Sequence, residues 1–210
     1  MIYIVGLGPG HKDYIMPKAL ETMKKSEIIV GFKRAIDSLD FIQGKKIYMK
    51  KLSDIDKFIL DTNAGNKNSY EKDSINISIV ASGDPTFYGI TNYIKNKVQC
   101  EFEIIPGISS FQYLTSKVKL SWNTAHLGSL HGRSDDFLRI VNNNTLTIWL
   151  TDKENSPAAL CKVLEEAKIE CKVIIGENLS YEDEAISIGS PSEFLDREFS
   201  ILSILIVDRI

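Results

Sequence analysis

The chain has 210 residues, of which 43% are hydrophobic and 25% are charged, and its formal net charge is -3. This composition is that of a soluble globular protein with enough apolar side chains for one large domain or two small ones. The small negative charge gives no electrostatic reason to expect nucleic acid or an anionic membrane as a partner. No apolar run approaches the roughly 20 residues that span a bilayer.

The N-terminus and the cysteines bear on the cellular compartment. Residues 1–6 are apolar but lack the basic flank and the length of a signal peptide. The three cysteines, Cys100, Cys161 and Cys171, are an odd number without the spacing of a metal or redox motif. We therefore expect reduced thiols, a cytoplasmic location and no metal site.

Strands and helices alternate through the first half of the chain. Continuous apolar runs predict buried strands at residues 2–5, 28–30, 47–49, 75–80 and 102–105. Apolar residues at helical spacing predict helices that begin near Pro17 and directly after Asp84. Such alternation indicates right-handed βαβ units and a mainly parallel sheet. Residues 61–73 are polar and predict a surface loop.

A glycine-rich turn, residues 6–10, follows the first strand. Dinucleotide-binding turns of this kind place a helix N-terminus on a pyrophosphate. Pro9 lacks an N–H and stiffens the loop, which does not suit that role. We interpret Gly8, Pro9 and Gly10 as a rigid loop that borders a ligand-binding site.

The stretch around Asp84 allows two interpretations. A strand ends near Ala81, and Ser82, Gly83 and Asp84 precede a proline. Asp84 and the proline occupy the positions that a helix N-cap and first helical residue favour, so Asp84 could serve only as a cap. Alternatively, the three residues form a crevice at the carboxyl end of a strand, where open α/β sheets bind ligands.

The second half of the chain begins after residues 116–124, which interrupt the alternation. Strands are predicted at residues 125–130, 146–150, 173–175, 185–188 and 201–207. The last two of these could pair antiparallel, with a short helix at 191–195 between them. The sequence thus predicts two α/β lobes, residues 1–117 and 118–210. We expect a mainly parallel sheet in the first lobe, a mixed sheet in the second, and a small-molecule site in the cleft between them.

Four turns rich in small residues carry a resemblance to a known family. They are residues 6–10, 81–89, 106–112 and 129–133, and the segment 177–181 accompanies them downstream. With these motifs the whole chain resembles the tetrapyrrole (corrin/porphyrin) methylases. The combination of residues 129–133 with 177–181 is the most specific part, because it is similar to the members that methylate carbon 5 of a late precorrin.

The resemblance implies methyl transfer from S-adenosylmethionine to C-5 of a late (cobalt-)precorrin in cobalamin biosynthesis. It implies a homodimer of two-lobed α/β subunits, with the methyl donor in the cleft between the lobes. The residues that it assigns to the methyl donor are Pro9, Ser82, Gly83, Asp84, Phe87, Ser109, Ser110, Leu150, Thr151, Asn178 and Leu179. It places the tetrapyrrole beside Gly8 and Gly10, and it suggests a separate enzyme for methylation and decarboxylation at C-15.

Methyl transfer from a sulfonium needs little chemical assistance. The leaving thioether is neutral and requires no proton, so catalysis can come mainly from proximity and orientation. The acceptor carbon then loses a proton, and a positioned base contributes roughly 10²–10⁴-fold to such a step. His131 is the candidate base, and Arg133 could bind a carboxylate of the substrate. The alternative is that both residues only organise their turn or a contact between lobes or subunits.

Two other functions remain open. One is a methylase of the same family that acts on uroporphyrinogen, another precorrin carbon, a diphthamide precursor or ribosomal RNA. The RNA would be more credible with a basic surface, which this composition lacks. The other is an NAD-type nucleotide-binding protein, which Pro9 and the missing third glycine of the fingerprint disfavour.

Overall fold

The computed structural model describes residues 1–56, 75–97, 101–132 and 135–209. Two compact units make up the chain, Met1–Ser109 and Ser110–Ile210. The polar loop predicted at 61–73 lies outside the described residues. No helix in the described ranges is long and apolar enough to cross a membrane.

The first unit contains a five-stranded parallel sheet. Its strands are β1 (Ile2–Gly6), β2 (Ile28–Phe32), β3 (Lys45–Met49), β4 (Ile77–Ala81) and β5 (Phe102–Ile105), and their order is β3-β2-β4-β1-β5. Every neighbouring pair is parallel, as the sequence predicted. Within the described residues the helices of this unit are α1 (Pro17–Lys24), α2 (Lys33–Asp37) and α3 (Thr91–Lys95), with 3-10 turns at Lys12–Tyr14 and Leu52–Asp54.

Apolar clusters cover both faces of this sheet. Ile4 packs in one cluster with Val30 and Ile79, whereas the next residue, Val5, packs in another with Val80. Successive residues of a strand point to opposite faces. The continuous apolar runs of the sequence therefore reflect strands that are buried on both sides.

The strand order creates a switch point between β1 and β4. From β1 the chain runs towards β2, in the direction of one edge strand, β3. From β4 it runs towards β5, the other edge strand. Connections that depart in opposite directions open a crevice at the carboxyl ends of the two strands, where ligands of open α/β sheets bind. The glycine-rich turn and the Ser82–Asp84 turn both begin at this crevice.

The segment after β4 differs from the expectation. The sequence placed a helix N-cap at Asp84, but α3 begins only at Thr91. The intervening residues form a turn in which the Phe87 amide donates to the Asp84 carbonyl at 3.2 Å. Tyr88 has a φ of 50°, which lies outside the right-handed helical region and interrupts any helix that starts at the proline. The N-cap assignment was therefore wrong.

The second unit contains a mixed sheet, as predicted. Its strands are β6 (His126–Ser129), β7 (Leu146–Leu150), β8 (Lys172–Glu177), β9 (Ala185–Gly189) and β10 (Ser203–Asp208), in the order β6-β7-β10-β8-β9. Only the β6–β7 pair is parallel. The helices are α4 (Ser110–Lys117), α5 (Phe137–Asn143) and α6 (Pro157–Glu166), with a 3-10 turn at Pro191–Phe194.

Trp149 lies at the centre of the second unit's core. It is fully buried among residues of β8, β10, α5 and α6. The cap-and-stripe pattern predicted for α6 is present, because the Ser156 hydroxyl accepts from the Ala159 amide at 3.3 Å and Leu160 and Leu164 are buried.

Helix α4 groups with the second unit, whereas the sequence placed the boundary of the lobes after residue 117. Leu114 of α4 lies directly over Gly176 of β8, where an added Cβ would come within 2.9 Å of its side chain. This packing is a long-range contact that the alternation of predicted elements does not reveal.

Candidate functional site

Three turns meet at the carboxyl edge of the first sheet. Gly8 and Gly83 exchange backbone hydrogen bonds, of 2.7 Å from the Gly83 amide and 3.3 Å from the Gly8 amide. Gly107, which follows β5, packs against both Gly6 and the Gly83 carbonyl so closely that any side chain would collide there. Glycine is required at Gly6 and Gly107 because the backbones of the three turns approach one another there. The turns that the sequence singled out are thus brought together.

Asp84 links two of these turns. Its Oδ1 accepts from the Thr86 amide at 2.7 Å and also from the Thr86 hydroxyl. Its Oδ2 accepts from the Gly107 amide at 3.2 Å. A carboxylate offers about four acceptor positions, so the half-buried Asp84 retains capacity for one further donor.

The space above Gly83 is open. Gly83 has a φ of 66°, and a Cβ at this position would contact only the Cα of Ser109, at 3.7 Å. Ser82 is exposed and receives a hydrogen bond from Arg34 at 3.4 Å. Phe87, half-buried, presents its ring edge-on to Tyr88 with centroids 5.0 Å apart. The crevice thus offers bare backbone, hydroxyls, one carboxylate and an aromatic ring.

This donor set fits S-adenosylmethionine, the group that the resemblance implies. An adenosine and an amino acid moiety need close approach to backbone amides and carbonyls, which small residues permit. The spare acceptor position of Asp84 suits a ribose hydroxyl or the cofactor's ammonium group. Pro9 is buried and Gly10 is partly exposed, which is compatible with a rigid loop at this edge.

The carboxyl edge of the second sheet carries the other candidates. The strands β6, β7 and β8 end there, and the antiparallel β10 begins there. The candidates at this edge are His131, Leu150, Thr151, Asn178 and Leu179. Ser110 is the first residue of α4, and Arg133 lies outside the described residues.

His131 is held by one ring nitrogen. Its Nδ1 lies 3.0 Å from the carbonyl oxygen of Thr151. A carbonyl can only accept, so Nδ1 carries the proton and Nε2 is the nitrogen of the neutral ring that can accept one. The residue is exposed.

Asp152, which the sequence analysis did not select, fixes the His131 turn. Its carboxylate accepts from the Gly132 amide at 2.9 Å and from the Asn155 amide at 2.7 Å. These bonds from the Asn155 and Gly132 amides hold the pKa of Asp152 below its ordinary value. An aspartate directly after a buried strand was the available signal, because such residues lie at the carboxyl edge of the sheet.

Thr151 and Asn178 bond to the start of β10 and to the residues just before it. The buried Thr151 hydroxyl donates to the Ser203 carbonyl at 2.7 Å. The Asn178 amide donates to the Leu202 carbonyl at 3.0 Å, and its side-chain oxygen accepts from the Ser200 hydroxyl at 2.7 Å. Both residues therefore make hydrogen bonds that stabilise the fold, independently of any contact with a ligand.

An ion pair between the buried Glu177 and the exposed Arg197 supports the turn at Asn178. Glu177 is 7% exposed and lies 2.6 Å from the guanidinium of Arg197. Its other oxygen accepts from the Ser200 amide at 2.9 Å. Asn178 has a φ of 45°, and Leu179 is buried against Gly176. Sequence patterns did not identify this pair because its members are 20 residues apart.

Two further features lie apart from the candidate residues. A cavity of about 410 Å³ in the second unit is lined by Thr115, Ser116, Lys119, Leu120, Ser121, Trp122 and Asn123, none of which was a candidate. Among the described residues, no group of three or more histidine, cysteine, aspartate or glutamate side chains could hold a metal ion.

Comparison with known proteins links these turns to one family. The model of the "Tetrapyrrole (Corrin/Porphyrin) Methylases" matches residues 1–194. A probable cobalt-precorrin-7 C(5)-methyltransferase of Methanocaldococcus jannaschii is 30% identical, with 99% of this chain and 98% of the relative covered. The cobalt-precorrin-7 C(5)-methyltransferase of Salmonella typhimurium is 29% identical, with both chains covered completely.

A solved structure has the same fold. The uroporphyrin-III C-methyltransferase of Thermus thermophilus, in complex with S-adenosylhomocysteine, superimposes with a TM-score of 0.75 at 18% identity, covering 99% of this chain and 91% of the other. At this identity the likeness concerns the fold.

Proposed function

The chain belongs to the tetrapyrrole (corrin/porphyrin) methylase family, and we propose that it methylates carbon 5 of a cobalt-precorrin in cobalamin biosynthesis. The observation that carries the proposal is the full-length similarity to two cobalt-precorrin-7 C(5)-methyltransferases. The chain is a methyltransferase by family, and S-adenosylmethionine is its methyl donor. The neighbour that holds S-adenosylhomocysteine on the same fold supports this choice of donor.

The first unit holds the methyl donor at the crevice above Gly83. S-adenosylmethionine supplies an electrophilic methyl group on a sulfonium. The protein's part is to bind and orient it, since positioning can supply most of the rate. Asp84 accepts a hydrogen bond from the donor while its Oδ2 keeps the Gly107 turn in place. Ser82, Phe87 and Ser109 line the same edge.

The second unit supplies the base. A C–S bond breaks and a C–C bond forms at the acceptor carbon, which then loses its hydrogen as a proton. Nε2 of His131 accepts that proton, because the Thr151 carbonyl holds Nδ1 in the protonated state. The cofactor contacts assigned to Leu150, Thr151, Asn178 and Leu179, and the substrate contacts of Gly8, Gly10 and Arg133, stay predictions.

Three expectations about the protein in the cell also stay predictions. They are a homodimer, a cytoplasmic location and a separate enzyme that methylates and decarboxylates at C-15. Sedimentation of the purified protein tests the first. Release of carbon dioxide from a late precorrin by the purified chain alone would contradict the third.

The decisive experiment is incubation with methyl-labelled S-adenosylmethionine and a panel of late precorrins, with and without cobalt. We expect a single new methyl group, located at C-5 by NMR. A methyl group at another carbon, or on uroporphyrinogen, would favour another member of the family. Binding of NAD without binding of S-adenosylhomocysteine in calorimetry would contradict the methyltransferase assignment.

A further inference from the structure

The guanidinium of Arg34 lies at the edge of the crevice above Gly83. Its Nη2 donates to the hydroxyl of Ser82 at 3.4 Å, across 48 positions of the chain. Both side chains are exposed, and both residues belong to the first unit. A cation therefore borders the turn that is proposed to hold the methyl donor.

The bond between Arg34 and Ser82 is a weak one. Its length exceeds the usual range of about 2.7–3.2 Å for an N–H donor. A hydroxyl offers a single neutral oxygen, whereas the planar guanidinium matches the two oxygens of a carboxylate. The chemistry of Arg34 thus suits an acidic group better than it suits Ser82.

The cation beside Arg34 in the sequence is used differently. Lys33 Nζ lies 2.5 Å from Oδ2 of Asp37, one turn further along α2. Lys33 therefore pairs with a carboxylate of its own helix. Arg34 instead reaches out of the helix to the turn after β4. Of these two adjacent cations, Arg34 is the one that reaches the crevice.

The strand order gives the side of the crevice on which Arg34 lies. Arg34 follows β2, which neighbours β4 on the side away from β1. The contacts that the turn after β4 makes with the turns after β1 and β5 lie on the opposite side. A group that Arg34 binds therefore lies beside the crevice and not within it.

The acceptor of the methyl group is the reactant that has to lie beside the crevice. Its reacting carbon must come within about 3–3.5 Å of the methyl group, so the macrocycle extends from the crevice over neighbouring strand ends. Adjacent strands are about 4.8 Å apart. The residues that follow β2 are therefore within reach of the side chains of the macrocycle.

We propose that Arg34 binds a carboxylate side chain of the tetrapyrrole and so helps to select the acceptor. This inference rests on the proposed function. Late precorrins carry acetate and propionate groups, and a guanidinium binds a carboxylate through two parallel hydrogen bonds. Phe32, the last residue of β2, is 40% exposed, so an apolar ring accompanies the cation at this strand end. Arg34 is thus a specificity residue of the first unit.

The test compares Arg34→Gln with Lys33→Gln, which removes the adjacent cation. Arg34→Gln should raise the KM for the cobalt-precorrin about 10-fold or more, because a charge-assisted bond is lost. Arg34→Lys keeps the charge but loses the planar fork, so its KM should lie between those of the wild type and Arg34→Gln. Lys33→Gln should keep the wild-type KM. Calorimetry should give all three variants the wild-type affinity for S-adenosylhomocysteine.

Three outcomes would overturn the assignment. An unchanged KM in Arg34→Gln means that Arg34 does not bind the acceptor. Weaker binding of S-adenosylhomocysteine in Arg34→Gln would assign the residue to the methyl donor. An equal rise of KM in Lys33→Gln would show that only the positive charge of α2 matters. Absence of methylation of any late precorrin by the wild-type chain would instead reject the proposed function, and with it the acceptor assigned to Arg34.

Discussion

Asp84 Oδ2 accepts a hydrogen bond from the amide of Gly107 at 3.2 Å, and so joins the turn after β4 to the turn after β5. The two residues are 23 positions apart in the chain. Gly107 has no room for a side chain beside Gly6 and Gly83, and its amide points to the carboxylate. Asp84 therefore holds the two turns together, and it is also a candidate contact of the methyl donor.

Replacing Asp84 tests both of these roles. Asp84→Ala removes the acceptors for Thr86 and Gly107, and we expect unfolding to become easier by about 1–2 kcal/mol. Loss of a charged ligand contact should also weaken S-adenosylhomocysteine binding about 10-fold or more. Calorimetry and urea unfolding measure the two effects. Thr86→Ala is the control, because it leaves the bond between Asp84 and Gly107 intact. If Asp84→Ala loses stability but binds S-adenosylhomocysteine normally, Asp84 only joins the two turns and does not bind the methyl donor.

The open crevice predicts an unusual effect at Gly83. Gly83→Ala places a methyl group in free space, so the penalty is the positive φ of 66°, about 1 kcal/mol. The same methyl group occupies the volume assigned to the methyl donor, and we expect S-adenosylhomocysteine binding to fall at least 10-fold.

Gly44→Ala is the matched control for this substitution. Gly44 also has a positive φ, of 130°, and it precedes β3 at the opposite edge of the sheet. We expect it to lower the melting temperature without changing affinity. Equal affinities in the two variants would show that the donor binds elsewhere.

The sequence predicted the carboxyl edge of the first sheet well. Strands such as β1 and β4 are short apolar runs buried on both faces, and the small residues after them mark tight turns. Both signals are local, which is why the turns containing Gly8 and Gly83 could be expected at the same edge of the sheet, where they bond to each other. The position of β4 between β2 and β1 was not predictable, since pairing order depends on contacts distant in sequence.

The errors and omissions have a common physical origin. Asp84 has the residue type and the following proline of an N-cap, and its Oδ1 accepts from the Thr86 amide as a cap would. No helix follows, because Tyr88 interrupts it, and the second carboxylate oxygen binds the Gly107 amide instead. Asp152 was passed over because nothing local shows that it binds the Gly132 amide. In each case a tertiary hydrogen bond decides the role, and a residue's neighbours in sequence do not report it.

The pKa of Asp152 predicts a pH-dependent contribution to stability. The ionised carboxylate binds the Asn155 and Gly132 amides, and its folded pKa is lowered below the unfolded value of about 3.9. The contribution is therefore complete above about pH 4 and is lost as the pH falls through the folded pKa. Asp152→Asn should lower the melting temperature at pH 7, and its difference from wild type should shrink under acid conditions.

Asp40→Asn provides the comparison, because Asp40 is an exposed carboxylate of the first unit. We expect it to change the melting temperature little at pH 7. A difference between wild type and Asp152→Asn that stays constant from pH 7 to pH 3 would mean that the charge of Asp152 does not stabilise the turn.

His131 can be tested by a substitution that separates its two ring nitrogens. The amide nitrogen of an asparagine takes the place of Nδ1 and can still donate to the Thr151 carbonyl, whereas nothing replaces Nε2. We expect His131→Asn to keep the melting temperature and the S-adenosylhomocysteine affinity of the wild type. Single-turnover methylation should slow about 10²-fold or more, because the base is missing.

A second histidine completes the test. We expect His126→Asn, whose side chain packs against Trp149 with ring centroids 5.9 Å apart, to keep the single-turnover rate of the wild type, since it removes a histidine that has no role in the reaction. Wild-type turnover in His131→Asn would show that Nε2 accepts no proton and that the Thr151 contact is the whole role of His131.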